Sequence, residues 1–367
     1  AHKPAAAQAA KKAFVMTRFG DLGLFLGLIL LLNQFGSLRI DTILGGVGQL
    51  SPDRVTLIGL LLFCGIAGKS AQFPLFSWLP DAMEGPTPVS SLLHSATMVA
   101  AGVYLFALLQ PLFLASATTS LVVVSVAVGT ALLSASVAMV EMDMKRVLAW
   151  SSISQLSFML MGLAAPGLAE DVVSSPLPGF FHLITHAAFK CLLFLSAGIF
   201  IHLAHSGDLR EIGRKAGLRS RAAAFGLVVG AVSLAGIPPF AGFMSKELVL
   251  GQLHHHAGPV LYGGALLASA MTAYYSARLV LLALRPGVAA EGHGPPRSMA
   301  GVVALLGVVT LGVGFLGRPL AGALGRPLEE AAIHWASPGV GLAMAALVLG
   351  LVLAARDFGP GRPGLGF

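Results

Sequence analysis

The sequence predicts an all-α integral membrane protein with about ten transmembrane helices, two of them broken by proline. Three observations predict it. The 367 residues are 56% hydrophobic and 11% charged, with a mean hydropathy of +0.84, whereas soluble domains carry about 25% charged residues and need that polar surface. Apolar runs long enough to cross a bilayer, about 20 residues each, recur along the whole chain. Two of those runs carry closely spaced prolines beside a lysine. The 45 glycines suit helices that approach closely in lipid. Cys64 and Cys191 lie inside apolar runs and suggest neither a disulfide nor a metal site.

The spans lie near 19–36, 55–79, 88–110, 117–140, 146–164, 177–204, 222–246, 258–281, 299–317 and 338–355. Turn-rich or charged segments such as "SPDR", "EMDMKR" and "HSGDLREIGRKAGLRSR" separate them. Residues 1–18 read as a basic cytoplasmic stub entering the first span. Its charges followed by an apolar run imitate a signal peptide, but no cleavage site stands out and many more spans follow. Residues 356–367 read as a cytoplasmic tail.

Orientation follows from the positive-inside rule. With the N-terminus in the cytoplasm, 16 of the 23 Lys and Arg fall in inside segments. Arg39, Arg54, Arg318 and Arg326 fall outside, and Lys69, Lys190 and Lys246 fall within spans. This asymmetry supports ten crossings with both ends inside, because one miscounted helix would scramble it.

The three lysines within spans need a reason, since a charge in hydrocarbon costs a few kcal/mol or more. Lys69 stands in "FCGIAGKSAQFPLF" with no acidic residue within ten positions. The "GKS" is no phosphate loop, because the position that needs its first glycine is Phe63. Snorkelling to the interface suits Lys246, at the end of its span, better than Lys69 or Lys190. Pro74, Pro80, Pro86 and Pro88 follow Lys69, and Pro238 and Pro239 precede Lys246. Proline removes a helix hydrogen bond, and freed carbonyls are tolerated in a bilayer only where protein or water satisfies them. The two broken spans are five helices apart and so cross in opposite senses. Such interruptions in two inverted halves mark an ion-translocating repeat fold.

"HLITHAAFK" sets His182, His186 and Lys190 four residues apart, on one helix face. Metal binding by His-x3-His lacks a third ligand nearby. His94 alone reads equally well as a satisfied interior residue; beside the stripe and the two lysines it joins a chain of titratable groups. The "HHH" at 254–256 is expected in a solvated outer loop, where it could bind metal adventitiously. Burial disfavours the charged form of a lysine and a neighbouring carboxylate favours it, while histidine exchanges protons near neutral pH unaided. A row of such groups moves protons stepwise if water fills the gaps.

Four stretches carry a resemblance: "GKSAQFPLFSWLPDAMEGPTPVSSLLHSATMVAAGVYL", "DMKRVLAWSSISQLSFMLMGL", "FFHLITHAAFKCLLFLSAG" and "AGIPPFAGFMSKE". Together they closely resemble the antiporter-like membrane subunits of respiratory complex I. The resemblance runs from about Ala10 to the eighth span, and weakly beyond. It implies a proton channel of two inverted five-helix units, here 19–110 and 117–281, with two additional helices over 299–355. It makes Lys69 the lysine of the first half-channel, His94 the bridging histidine, His182, His186 and Lys190 the connecting stripe, and Lys246 the last residue on the exit side. Asp21 matches an acidic position near the first half-channel, and Asp143, Lys145 and Arg146 match a loop motif of structural role. The family's glutamate partner for the Lys69 position belongs on a helix before the first span, and the family's distal member continues into a long horizontal helix. The chain therefore reads as a fragment.

The expected function is proton translocation driven by redox chemistry elsewhere. Flavin, iron–sulfur clusters and quinone would sit on partner subunits of the membrane complex, with no cofactor or metal on this chain. The expected surroundings are a bilayer, protons and other membrane-arm subunits, without nucleic acid. The Ala/Gly/Arg-rich composition points to a bacterial inner membrane. Two alternatives remain open: the same architecture in a multisubunit cation/proton antiporter or membrane-bound hydrogenase, and a membrane scaffold or metal carrier with incidental charges.

Overall fold

A computed structural model describes residues 4–169, 174–285 and 296–359. All regular elements among them are helical, with one isolated bridge between Asp143 and Asp208. The first half comprises α1 (Pro4–Phe35), α2 (Ile40–Gly46), α3 (Pro52–Lys69), α4 (Trp78–Asp81), α5 (Thr87–Ser95), α6 (Met98–Leu108) and α7 (Gln110–Leu114). The centre holds α8 (Ala117–Val140), α9 (Met144–Ala164) and α10 (Leu177–Ala204). Next come α11 (Leu209–Lys215), α12 (Arg221–Ala235), α13 (Ala241–His256) and α14 (Pro259–Ala283). The chain closes with α15 (Arg297–Gly312), α16 (Gly317–Ala323) and α17 (Pro338–Phe358).

Eight helical stretches among these residues are long and apolar enough to cross a membrane. The two proline-broken spans supply the rest: α3, whose charged ends dilute its hydropathy, and the 15-residue α12. The polar contacts that tie loop to loop respect the sidedness read from the sequence. Lys12 meets Asp81 at 2.6 Å, Lys145 donates to the carbonyls of Met83 and Gly85, and Arg278 donates to that of Glu141, all on the basic side. Arg54 meets Gln34, and Thr56 meets Ser116, on the other.

Four features differ from the sequence reading. Residues 4–18 are not a loop but the start of α1, whose 32 residues span about 48 Å and overshoot a hydrocarbon core of about 30 Å. The third span breaks after Ser95 without any proline. There the Thr97 hydroxyl bonds the carbonyl of Leu92, a side-chain competitor for helix hydrogen bonds. The seventh span does not end at Lys246, because α13 carries on from the break to His256. The histidines at 254–256 are accordingly the last turn of that helix and not an outer loop. Lys3 and Arg362, like tail residues 360–367, lie outside the described residues.

α9 is the spine. From Val147 to Ala164 every residue is buried, enclosed by α6, α8, α10, α13 and α14. Its start is fixed by the "DMKR" loop. Asp143 caps the helix by accepting from the Arg146 N–H at 3.0 Å, and the Met144 N–H donates to Gly207.

Candidate functional site

Both broken spans satisfy their freed backbone groups locally. At the first, Trp78 Nε1 donates to the Gly68 carbonyl at 3.1 Å, Gln72 Nε2 to that of Ser70 at 2.9 Å, and the Phe73 N–H to Thr130 Oγ1 at 3.0 Å. At the second, Gly236 turns the chain with φ +81°, a left-handed conformation that glycine adopts without a Cβ clash. Its N–H then caps Ser233, the Ile237 N–H caps Val232, and the Lys246 amine caps Leu234 at 3.0 Å.

The two lysines sit differently about their breaks. Lys69 is the last residue of α3, and its amine lies 3.2 Å from Asp21 Oδ1 on α1. Arg18 stands near the same carboxylate, 3.8 Å away. The pair is half-buried, with side chains 33% and 22% exposed. It is reached through a close helix crossing, since a β-carbon at Gly20 would lie 2.6 Å from the Cys64 carbonyl oxygen. Asp21 stands nine residues past Lys12, about 14 Å deeper along the helix. Among the described residues, Asp21 is the carboxylate that meets Lys69. Lys246 follows its break, is fully enclosed, and lies 5.3 Å from the centre of the Phe158 ring, a favourable cation–π position.

The stripe on α10 is buried throughout. His182 Nδ1 lies 2.8 Å from Ser245 Oγ, and its Nε2 lies 3.3 Å from Gln155 Oε1. Lys190 donates to the Leu148 carbonyl at 3.0 Å and to Ser151 Oγ. His94 packs at a tilt against Phe194 and His186 edge-on against Phe189, with ring centres 5.0 and 5.3 Å apart. All five side chains are buried, and α10 packs directly against α5, which carries His94, and α13, which carries Lys246. The structure therefore gathers His94, His182, His186, Lys190 and Lys246 in one interior. Lys69 and Asp21 form a separate pair, joined to His94 by no hydrogen bond among the described residues.

Sequence reasoning missed the polar face of α9. Ser151 and Gln155 meet the stripe, while Ser157 Oγ reaches Gln72 Oε1 in the first break at 2.9 Å. Ser245 bridges His182 and Thr185. The available signal was "SSISQLS", too polar for a span with lipid on any side. Both ring nitrogens of His94 and His186, with Gln155 Nε2, Ser154 Oγ and Tyr275 OH, are buried without a hydrogen-bond partner among the described residues. Groups so buried are ordinarily bonded to protein or to water. No three His, Cys, Asp or Glu among the described residues converge as a metal would require.

Broken helices facing a buried ionisable row define an antiporter-like membrane subunit. The chain belongs to the NADH:quinone oxidoreductase/Mrp antiporter transmembrane family, whose profile matches residues 1–272. It is similar to NADH-quinone oxidoreductase subunit L of Mycobacterium tuberculosis, at 40% identity over 98% of this chain and 58% of that protein. It is 39% identical to F(420)H(2) dehydrogenase subunit L of Methanosarcina mazei, over 86% of this chain and 52% of the relative. Its structure resembles a chain of the Mrp complex from Dietzia sp. DQ12-45-1b, with a TM-score of 0.82 and 30% identity over 97% of this chain and 40% of that one. The chain thus spans little more than half the length of these curated relatives.

Proposed function

We propose that the chain forms the proton-translocating part of a membrane subunit of a NADH:quinone oxidoreductase, set in a bacterial inner membrane beside other membrane-arm subunits. The observation that carries this reading is the buried row. Three histidines and two lysines are withdrawn from lipid into one interior, where isolated charges are costly and persist for function. The likeness to NADH-quinone oxidoreductase subunit L supports this assembly, in which redox energy would arrive from partners that hold flavin, iron–sulfur clusters and quinone.

In this reading Asp21 and Lys69 exchange a proton near the basic side, His94 passes it inward to Lys190, and His186, His182 and Lys246 carry it toward the opposite face. Water at the unpartnered ring nitrogens bridges gaps too long for direct transfer. Each arriving charge lowers the proton affinity of the next group by Coulomb repulsion, so the row advances in steps. Ser245 and Gln155 hold the His182 ring between them and set its tautomer.

A second reading, a subunit of a cation/proton antiporter, is favoured by the match to the Mrp complex. Membrane vesicles carrying the full-length gene product separate the two. Proton uptake that requires NADH supports the first reading, whereas sodium-driven proton exchange without NADH supports the second. A scaffold would tolerate replacement of Lys69 and Lys190 with transport unchanged.

A further inference from the structure

The histidines that end α13 take no part in the buried row. His254 packs on Tyr262, with ring centres 5.1 Å apart, and against Gly339. His255 and His256 instead wall a cavity of about 530 Å³ on the face opposite the basic loops. The facing wall is the stretch between α16 and α17, which contributes Arg326, Glu329, Glu330 and His334. That wall is braced. Arg326 grips Glu330 at 2.7 and 3.1 Å, and Glu330 accepts from Ser175 Oγ at 2.7 Å. Trp335 stacks on Phe243 with centres 5.3 Å apart, and Tyr262 donates to the Gly339 carbonyl.

Glu247 forms the floor. The residue is more than nine-tenths buried, and its carboxyl makes no hydrogen bond or ion pair among the described residues. A second gap of about 10 Å³ touches Lys246, Glu247 and Ser269, room for about one water. One carboxyl and about one water therefore separate the last buried lysine from a cavity lined by imidazoles.

We propose that His255, His256 and His334 form a proton outlet that carries protons from Glu247 to the outer water, with the α16–α17 stretch as its wall. The proposal rests on the reading that protons leave near Lys246. Each transfer breaks one N–H or O–H bond and forms another, with no redox change. Lys246 gives its proton through water to the Glu247 carboxylate, which passes it to an imidazole nitrogen and regains its charge. Imidazole suits the last step because it takes and releases protons near neutral pH. Among the other ionisable groups facing the cavity, Arg326 and Glu330 neutralise one another, and Glu329 stands exposed at the rim.

The test uses the assembled full-length complex in proteoliposomes driven by NADH, with the initial rate of membrane-potential build-up read by a potential-sensitive dye. Combined His255→Gln, His256→Gln and His334→Gln replacements are expected to slow that rate at least about threefold, a modest share of what proton-transfer groups supply. Imidazole in the compartment facing the outlet should restore it. A wild-type rate overturns the proposal, and so does a slowed rate that imidazole leaves unchanged, which marks a purely structural role. Should the triple variant fail to assemble, His334→Cys in intact cells decides: thiol labelling by a membrane-impermeant reagent above the Cys64 and Cys191 background supports the outlet, and its absence refutes it. Lys246→Ala that leaves pumping intact would instead sink the underlying functional reading.

Discussion

The Lys246 amine reaches back across the second helix break to the carbonyl oxygen of Leu234, 3.0 Å away. Leu234 lies in the last turn of α12, where carbonyls point out of the helix without partners and carry partial negative charge. Lys69, as the final residue of α3, also occupies a helix C-terminus. The broken α12 thus offers its negative end to Lys246 and places an amine deep in an apolar interior with no carboxylate bonded to it among the described residues, whereas the Lys69 amine meets the Asp21 carboxylate.

Removing the Lys246 amine exposes the consequence. Lys246→Met leaves the Leu234 carbonyl buried without its partner, a cost of about 1–3 kcal/mol, and interrupts the row at its last group. NADH-driven proton uptake should fall at least about tenfold while the complex still elutes intact from a sizing column. Normal uptake by intact complex contradicts a role in transport.

The Asp21–Lys69 pair separates stability from transport. Because both side chains are partly exposed, Asp21→Asn should cost at most about 1 kcal/mol, a small change in thermal midpoint. Uptake should fall much further, severalfold or more, since Lys69 loses the carboxylate with which it would exchange the first proton. A change in midpoint with transport unaffected assigns the pair to structure alone.

Ser245 presents a finer test. Ser245→Ala leaves His182 Nδ1 and the Thr185 hydroxyl without their shared partner, so the imidazole loses its orientation. The expected result is a pumping rate lowered by about threefold to tenfold, on the scale of one lost hydrogen bond of about 0.5–1.5 kcal/mol. Ser245→Thr, which keeps the hydroxyl, should recover most of the rate. Equal rates in all three proteins remove Ser245 from the pathway.

Packing at the second break sets a hard limit. A β-carbon at Gly242 would collide with the carbonyl oxygen of Ser233, whereas one at Gly258 meets nothing within 4 Å. Backbone cannot yield as a side chain does, so Gly242→Ala should cost more than the 1–3 kcal/mol typical of overpacking and reduce the yield of assembled complex. Gly258→Ala should assemble normally. Similar yields for the two would mean that α12 and α13 do not meet this closely.

Much of the site was legible before any coordinates. The i, i+4, i+8 spacing put His182, His186 and Lys190 on one face because helix geometry is fixed by the backbone, and all three are buried together. Prolines located both breaks for the same local reason. The break after Ser95 escaped notice because threonine is only a weak disruptor, and its hydroxyl here happens to find the Leu92 carbonyl. The histidines at 254–256 were misplaced because α13 restarts after the second break and carries on past Lys246.

The sequence by itself determined which segments enter the membrane, where two of them break, and which charged groups are carried inside, since hydropathy, proline and spacing act through local physics. Only the tertiary structure decided that Asp21 faces Lys69, that the serines and glutamine of α9 face the α10 stripe, and that the α16–α17 stretch roofs Glu247. Those contacts depend on the distance and rotation at which helices cross. Close approaches such as Gly20 against Cys64 set that geometry, and residues far apart in the chain are needed to make it.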